Sequence, residues 1–182
     1  MTSSDFLATS PIELLTPAEA ERAVAQLGVI LEACVSEGSG VGFVLPFSQS
    51  LAETFWRGRL AGLMEGSRHT LIARHTGAIA GTVSLELAPQ PNARHRAEIS
   101  KLLVHPEARR LGLARKLLQE AERLAVTLGR TLLVLDTVTG DRAERLYPTC
   151  GFVRVGVIPN YAVSPAGTLD ATTVFYKDLT VK

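Results

Sequence analysis

The chain has 182 residues, of which 46% are hydrophobic and 20% charged. That balance is globular, excludes disordered and fibrous chains, and suits one domain with a substantial core. Nineteen basic against eighteen acidic side chains leave a formal charge of +1, which argues against nucleic acid or an anionic membrane as the main partner.

Met1 to Ser10 reads as a polar tail, and 11–182 as one domain without repeat or linker. The tail carries Asp5 and no basic residue, so it lacks the charged start of a secretory signal. No run reaches the roughly 18 apolar residues of a membrane span. Cys34 and Cys150 stand far apart, and no two of His69, His75, His95 and His105 are spaced i, i+4. The expectation is a cytoplasmic protein without a metal or a disulfide.

Ile12 to Leu15 reads as a short strand. Thr16, Pro17 and Glu19 then form a helix start, with a capping residue, proline at the first helical position and a capping box. Ala20, Val24, Leu27, Ile30, Leu31, Cys34 and Val35 continue it at helical spacing, and Gly38 and Gly40 end it. Gly40 to Phe47 is apolar but broken by glycine and proline, and reads as a loop. A second helix is expected from Ser50 to Gly66. Period-two patterning then gives a hairpin, with arms at His69–Arg74 and Ile79–Leu87, and a third strand at Ala97–Val104. The longest helix is expected from Arg110 to Leu128, followed by a strand at Thr131–Asp136 buried on both faces. A short helix from Asp141 to Tyr147, ended by Pro148, precedes strands at Phe152–Ile158 and Thr172–Leu179. The order is that of a mixed α/β sheet with a strand–helix–strand unit.

The most informative stretch runs from Ile99 to Ala114. A strand enters a turn holding Arg109, Arg110 and Gly112, and the turn enters the long helix. The first N–H groups of a helix have no internal partner, and its dipole is positive there. A phosphate fits such an end, glycine lets it approach, and arginines add charge. The spacing is neither a P-loop nor a dinucleotide fingerprint.

Arg109-x-x-Gly112-x-Ala114, after Leu103-Val104-x-Pro106, resembles motif A of the GNAT acyl-CoA-dependent N-acetyltransferases. A second element of that family follows in order, Ala143-x-x-Leu146-Tyr147-x-x-x-Gly151-Phe152. The resemblance spans about residues 12–179. Shorter stretches are similar to the tabtoxin-resistance branch: Arg96-Ala97-Glu98, Leu135-Asp136-Thr137, Val41-Gly42-Phe43 and Asn160-Tyr161-x-x-x-Pro165-x-Gly167-x-Leu169.

The resemblance implies the GNAT fold, a mostly antiparallel sheet with splayed middle strands between helices. It implies acetyl-CoA as donor and a small-molecule amine, amino-acid-like or toxin-like, as acceptor, attacked directly. Backbone groups of Leu102, Leu103 and Val104 would pair with the pantetheine arm. Backbone N–H groups of Arg110, Leu111, Gly112, Leu113, Ala114 and Arg115 would hold the pyrophosphate. Arg109, Asp141 and Ala143 complete the implied cofactor set. Glu98 or Asp136 would take the amine's proton, and Tyr147 would stand at the sulfur. Val41, Gly42 and Phe43 in the Gly40–Phe47 loop, and Tyr161 in an expected loop around Asn160-Tyr161, are acceptor-side candidates. His105 is expected to be exposed, and Trp56 to be core or wall.

The sequence departs from the family at Gly140, where an asparagine is usual, and Asp141 is the candidate replacement. Three alternatives stay open: acetylation of a protein N-terminus or lysine, a CoA sensor without chemistry, and an interaction protein without a ligand. The C-terminal strands leave room for a homodimer.

Overall fold

A computed structural model describes residues 12–180. The expected polar tail, 1–10, lies outside the described residues. Strand β1 (Ile12–Leu14) leads into helix α1 (Pro17–Ser36). The Glu19 carboxylate accepts from the Thr16 hydroxyl at 2.6 Å and from its backbone N–H at 3.4 Å, so the helix starts where its capping residues stand.

The expected second helix is two helices, α2 (Gln49–Arg57) and α3 (Leu60–Met64). Ser48, not Ser50, caps α2, its hydroxyl accepting from Leu51 N–H at 3.4 Å. The chain breaks at Gly58-Arg59, where the Arg59 side chain leaves the helix surface to pair with Glu86. Gly40 to Phe47 is helix- and strand-free, as expected.

Strands β2 (Arg68–His75), β3 (Ala78–Leu87) and β4 (Arg96–Val104) form an antiparallel run. Helix α4 (Leu113–Thr127) connects β4 to β5 (Leu132–Val138), and α5 (Arg142–Thr149), β6 (Val153–Val163) and β7 (Leu169–Asp178) complete the chain. The seven strands of the described residues join one sheet in the order β1-β2-β3-β4-β5-β7-β6, and among these pairs only β4 and β5 run parallel. This is the mixed, mostly antiparallel sheet flanked by helices that the sequence predicts.

Several boundaries, and one burial pattern, differ from expectation. The long helix begins at Leu113 rather than Arg110, because Arg110 and Gly112 both adopt positive φ, which no helix accommodates. Helix α5 runs through Pro148 to Thr149, giving up the one intrahelical hydrogen bond that the proline nitrogen cannot donate. Strand β6 continues five residues past Ile158, so Asn160 and Tyr161 belong to a strand and not to a loop. Strand β5 is fully buried on one face only: Leu133 and Leu135 are buried, while Leu132 and Val134 are half-buried.

Two cores sandwich the sheet. Helices α4 and α5 cover one face, where Leu117, Leu118 and Ala121 meet Val83, Leu85, Leu133 and Phe175. Helices α1–α3 cover the other face over β2, β3 and β4, where Leu27, Ile30 and Leu31 gather with Ile72 and Leu103. Trp56 belongs to this second core, donating its indole N–H to the Leu27 carbonyl at 3.0 Å. Among the described residues the same face of β5, β7 and β6 carries no such layer, and β6 is exposed along nearly its whole length.

Phe175 is the largest fully buried side chain and packs against Tyr147, ring centroids 5.6 Å apart. Phe175→Ala is expected to destabilise the fold by about 3–5 kcal/mol in urea unfolding. Val155→Ala, on the exposed edge strand, is expected to stay within about 0.5 kcal/mol of the parent.

Candidate active site

Strand β4 carries one residue more than the strand it faces. Thr82 pairs with Leu103 and Ser84 with Ser100, so Lys101 and Leu102 together oppose Val83. Lys101 takes up the extra residue with φ +50. A bulge bends its strand and increases the local twist. On the other side of β4, pairing with β5 covers only Arg96–Leu132, Ala97–Leu133 and Glu98–Val134. Beyond Glu98 the two parallel strands part, and a cleft of about 430 Å³ opens between them. That is the size of a small-ligand site.

The cleft brings together most of the sequence-predicted residues. Glu98, Leu102, Leu103, Val104, Arg109, Ala114, Asp136, Asp141, Ala143 and Tyr147 line it, with Val41, Gly42 and Tyr161 at the walls. The loop reaches the cleft because Gly40 lies so close to Val138 that a Cβ there would collide with it. Phe43 is not in the lining; it packs on Phe47 and Phe55, centroids 4.5 and 5.1 Å away. His105 also lies outside, its Nδ1 accepting from Glu107 N–H at 3.4 Å.

At one end of the cleft stands the start of α4. Gly112 occupies the capping position with φ +75, no side chain caps the helix, and no acidic residue enters its first turn. Among the described residues, the backbone N–H groups from Arg110 to Arg115 have no hydrogen-bond partner. A run of orphan donors at a positive helix end is an anion site. The side chains of this segment do other work. Leu113 is buried in the core. Arg115 donates to the Thr149 carbonyl at 2.8 Å and to its hydroxyl at 2.9 Å, tying α4 to α5. Arg109 pairs with Glu37 from the end of α1, which also lies 3.8 Å from Arg142. Arg110 is exposed and unpaired among the described residues.

At the other end stand the carboxylates. Glu98 faces Glu86 directly across the β3–β4 ladder. Glu86 is neutralised by Arg59, by Arg68 at 2.7 Å and by the Ser100 hydroxyl at 3.0 Å. Glu98 has no ion pair or hydrogen bond among the described residues. Desolvation by its surroundings, then the charges of Asp136 and Glu86, push its carboxyl above the usual carboxylate range, against Lys101 and Arg96. Asp136 accepts from the Thr172 hydroxyl at 2.8 Å. The Tyr147 ring is buried beside Phe152 and Phe175, and burial, then the charges of Asp136 and Asp141, push its phenol far up. It stays protonated at every working pH.

Gly140 turns with φ +86 and donates its N–H to Glu144 at 2.5 Å. Asp141 caps α5 through the Arg142 N–H at 2.5 Å. The replacement expected of Asp141 is therefore shared with a structural duty.

Lys101, Asp170 and Thr172 also line the cleft, and sequence reading did not select them. Lys101 left one signal: Ser100-Lys101-Leu102-Leu103 breaks the polar–apolar alternation, as a bulge does. Asp170 and Thr172 arrive from β7 through sheet pairing distant in sequence and left none.

A strand pair that opens beside an uncapped helix start is a site for an extended chain ending in a diphosphate. The chain belongs to the acetyltransferase (GNAT) family, whose model matches residues 41–152, including both motifs. An uncharacterized N-acetyltransferase in the hisH–hisA intergenic region of Azospirillum brasilense is 34% identical over 112 residues, 60% of this chain and 65% of that protein. The match thus spans just under two thirds of that relative's length. Two solved structures share the fold. One is yncA from Salmonella typhimurium with its cofactor acetyl-CoA, at TM-score 0.74 and 20% identity over 93% of this chain and 94% of that one. The other is an N-acetyltransferase from Staphylococcus aureus Mu50, at TM-score 0.75 and 18% identity over 93% and 98%. Among the described residues, no helix is long and apolar enough to cross a membrane, and no group of three His, Cys, Asp or Glu side chains could hold a metal.

Gly112 tests the anion end. An alanine there meets no neighbouring atom within 4 Å, so its cost is the left-handed backbone, about 1–2 kcal/mol. Gly112→Ala is expected to weaken acetyl-CoA binding about tenfold in calorimetry, by turning the orphan N–H groups away. An unchanged affinity would remove the phosphate assignment.

Proposed function

We propose that the protein is an N-acetyltransferase that moves the acetyl group of acetyl-CoA to the primary amine of a small, amino-acid-like molecule, within one domain spanning 11–182. The parting of β4 from β5 beyond Glu98, next to the uncapped start of α4, carries this reading. Acetyl-CoA supplies the acetyl group and a thiol leaving group. The unpaired edge of Leu102 to Val104 offers backbone groups to an extended amide arm, and the orphan N–H groups from Arg110 to Arg115 offer donors to its diphosphate.

Glu98 is the base in this reading. Of the two carboxylates on the parting strands it is the one without a partner, and its raised pKa brings it closer to neutral pH, where a base works best. Desolvation raises that pKa first and the charge of Asp136 adds to it, and Asp136 is itself held by Thr172. Glu98 takes the proton the amine must lose as the N–C bond forms and the C–S bond breaks. Tyr147 donates a hydrogen bond to the sulfur as charge develops there. Burial raises the pKa of its phenol, so it is protonated and serves as a hydrogen-bond donor to the thiolate. The proton held by Glu98 balances the charge left on sulfur.

Glu98 and Asp136 line one cleft together, which supports a place in the tabtoxin-resistance branch. Strand β6 is a long edge strand with Val153, Val155, Val157 and Val163 exposed, which supports pairing of two copies.

Calorimetry with acetyl-CoA, followed by thiol release in the presence of amines and amino acids, tests the reading. Binding with amine-dependent release is expected. Binding without release from any small amine would move the acceptor to a peptide, and no binding would end the reading. Tyr147→Phe is expected to lower kcat by about 10²–10³ while acetyl-CoA affinity changes little. Equal losses in both would remove the role at sulfur.

The pH dependence has a fixed sign. Glu98 works as carboxylate and its pKa is raised, so activity falls as pH drops through a value above the usual carboxylate range. Asp136→Asn removes a charge that raises it, and is expected to move this limb to lower pH. Glu98→Gln is expected to flatten the limb and lower kcat/KM by about 10²–10⁴. Profiles are compared on one acceptor, so the amine's own titration cancels. A limb unmoved by Asp136→Asn would point the base role away from Glu98.

A further inference from the structure

Three carboxylates, Glu98, Asp136 and Asp170, line the acceptor part of the cleft, and one ammonium stands among them, that of Lys101. Lys101 is half-buried, yet among the described residues its Nζ has no ion pair and no hydrogen-bond partner. Among the described residues the cleft's other cations, Arg109 and Arg142, pair with Glu37, and Arg59 and Arg68 pair with Glu86. The Lys101 ammonium lies 5.5 Å from the Phe55 ring centroid, and the Arg59 guanidinium lies 5.0 Å from the same ring. An aromatic face holds a cation in place without neutralising it.

The backbone adds a second observation. Lys101 is the bulge residue, held at φ +50, a conformation that glycine or asparagine adopts more readily. Strained non-glycine residues persist where the surroundings fix them, and they gather at ligand sites. The bulge sets this side chain in the cleft lining together with Glu98.

We infer that Lys101 is the acceptor-carboxylate subsite: its free ammonium takes an acidic group of the acceptor while Glu98 and Asp136 face the acceptor's amine. The inference rests on the proposed transferase activity and narrows its acceptor to amines that also carry a carboxylate, amino acids above all. Carboxylates and a free cation in one cleft match the two charges of a zwitterion. A charge-assisted hydrogen bond in a half-buried site also discriminates strongly, since an uncharged acceptor leaves the ammonium without a partner.

The test compares amino acids with their own amides as acceptors, reading the ratio of the two kcat/KM values. In the parent protein the acid is expected to exceed its amide by about 10- to 100-fold. Lys101→Met is expected to bring that ratio close to one, and Lys101→Arg to restore most of it. Lys101→Asn suits the left-handed backbone and removes the charge, so it gives the same reading if methionine disturbs the fold. A lysine that only balances Glu98 and Asp136 would shift the pH limb equally for acid and amide and leave the ratio alone. A parent that turns over acids and amides alike would overturn this inference and leave the transferase standing. A parent that acetylates no small amine would remove both.

Discussion

One additional residue in β4 governs the rest of the site. With Lys101 and Leu102 opposing a single residue of β3, β4 cannot follow β5 for its full length. The parallel pairing ends after three residue pairs, at Glu98. Everything the site needs follows from that point. The β4 edge beyond it keeps its backbone groups for another partner. Glu98 and Asp136 stand two residues or less from the last pair and flank the opening. The β4 chain then turns through Arg110 and Gly112, both at positive φ, and delivers the start of α4 beside the gap.

The charges near the opening are not independent. Glu86 and Glu98 face each other across the ladder, an arrangement that repels unless one of them is neutralised. The structure neutralises only Glu86, with Arg59, Arg68 and Ser100. The break between α2 and α3 at Gly58-Arg59 has its reason there, since it frees Arg59 to reach Glu86. Glu98 keeps an unbalanced field and a raised pKa, and Asp136 strengthens it. Satisfying one member of a like-charged pair leaves the other reactive.

The sequence made the order of elements legible wherever a local signal set it. Thr16, Pro17 and Glu19 mark α1, and the apolar stripe of Leu117, Leu118, Ala121 and Ala125 marks α4. The uncapped turn at Gly112 was also legible, because helix starts rarely combine arginines with no acidic residue. What stayed hidden depends on pairing between distant segments. Ser50 and Glu53 form a plausible start locally, yet Ser48 caps the helix. Asn160 and Tyr161 read as a loop because their strand lies at an exposed edge, with polar residues and an irregular register against β7. Lys101 reads as a surface lysine until the bulge places it, and Asp170 and Thr172 reach the cleft only through the sheet.

The cleft is assembled from groups that folding leaves without partners. Orphan donors begin α4, an unpaired edge follows Glu98, and Glu98 and Lys101 lack mates among the described residues. Of these groups the half-buried Lys101 is one that loses water without gaining a hydrogen bond, at a cost in desolvation. Here they converge on one space, with donors at one end and alternating charges at the other. A ligand that completes them must itself be extended and anionic at the helix, and doubly charged beside Glu98 and Lys101. The core carries the stability that this arrangement costs: Phe175, Leu117 and Leu118 are fully buried directly behind the strands that part. The gap can therefore stay open without the sheet closing over it.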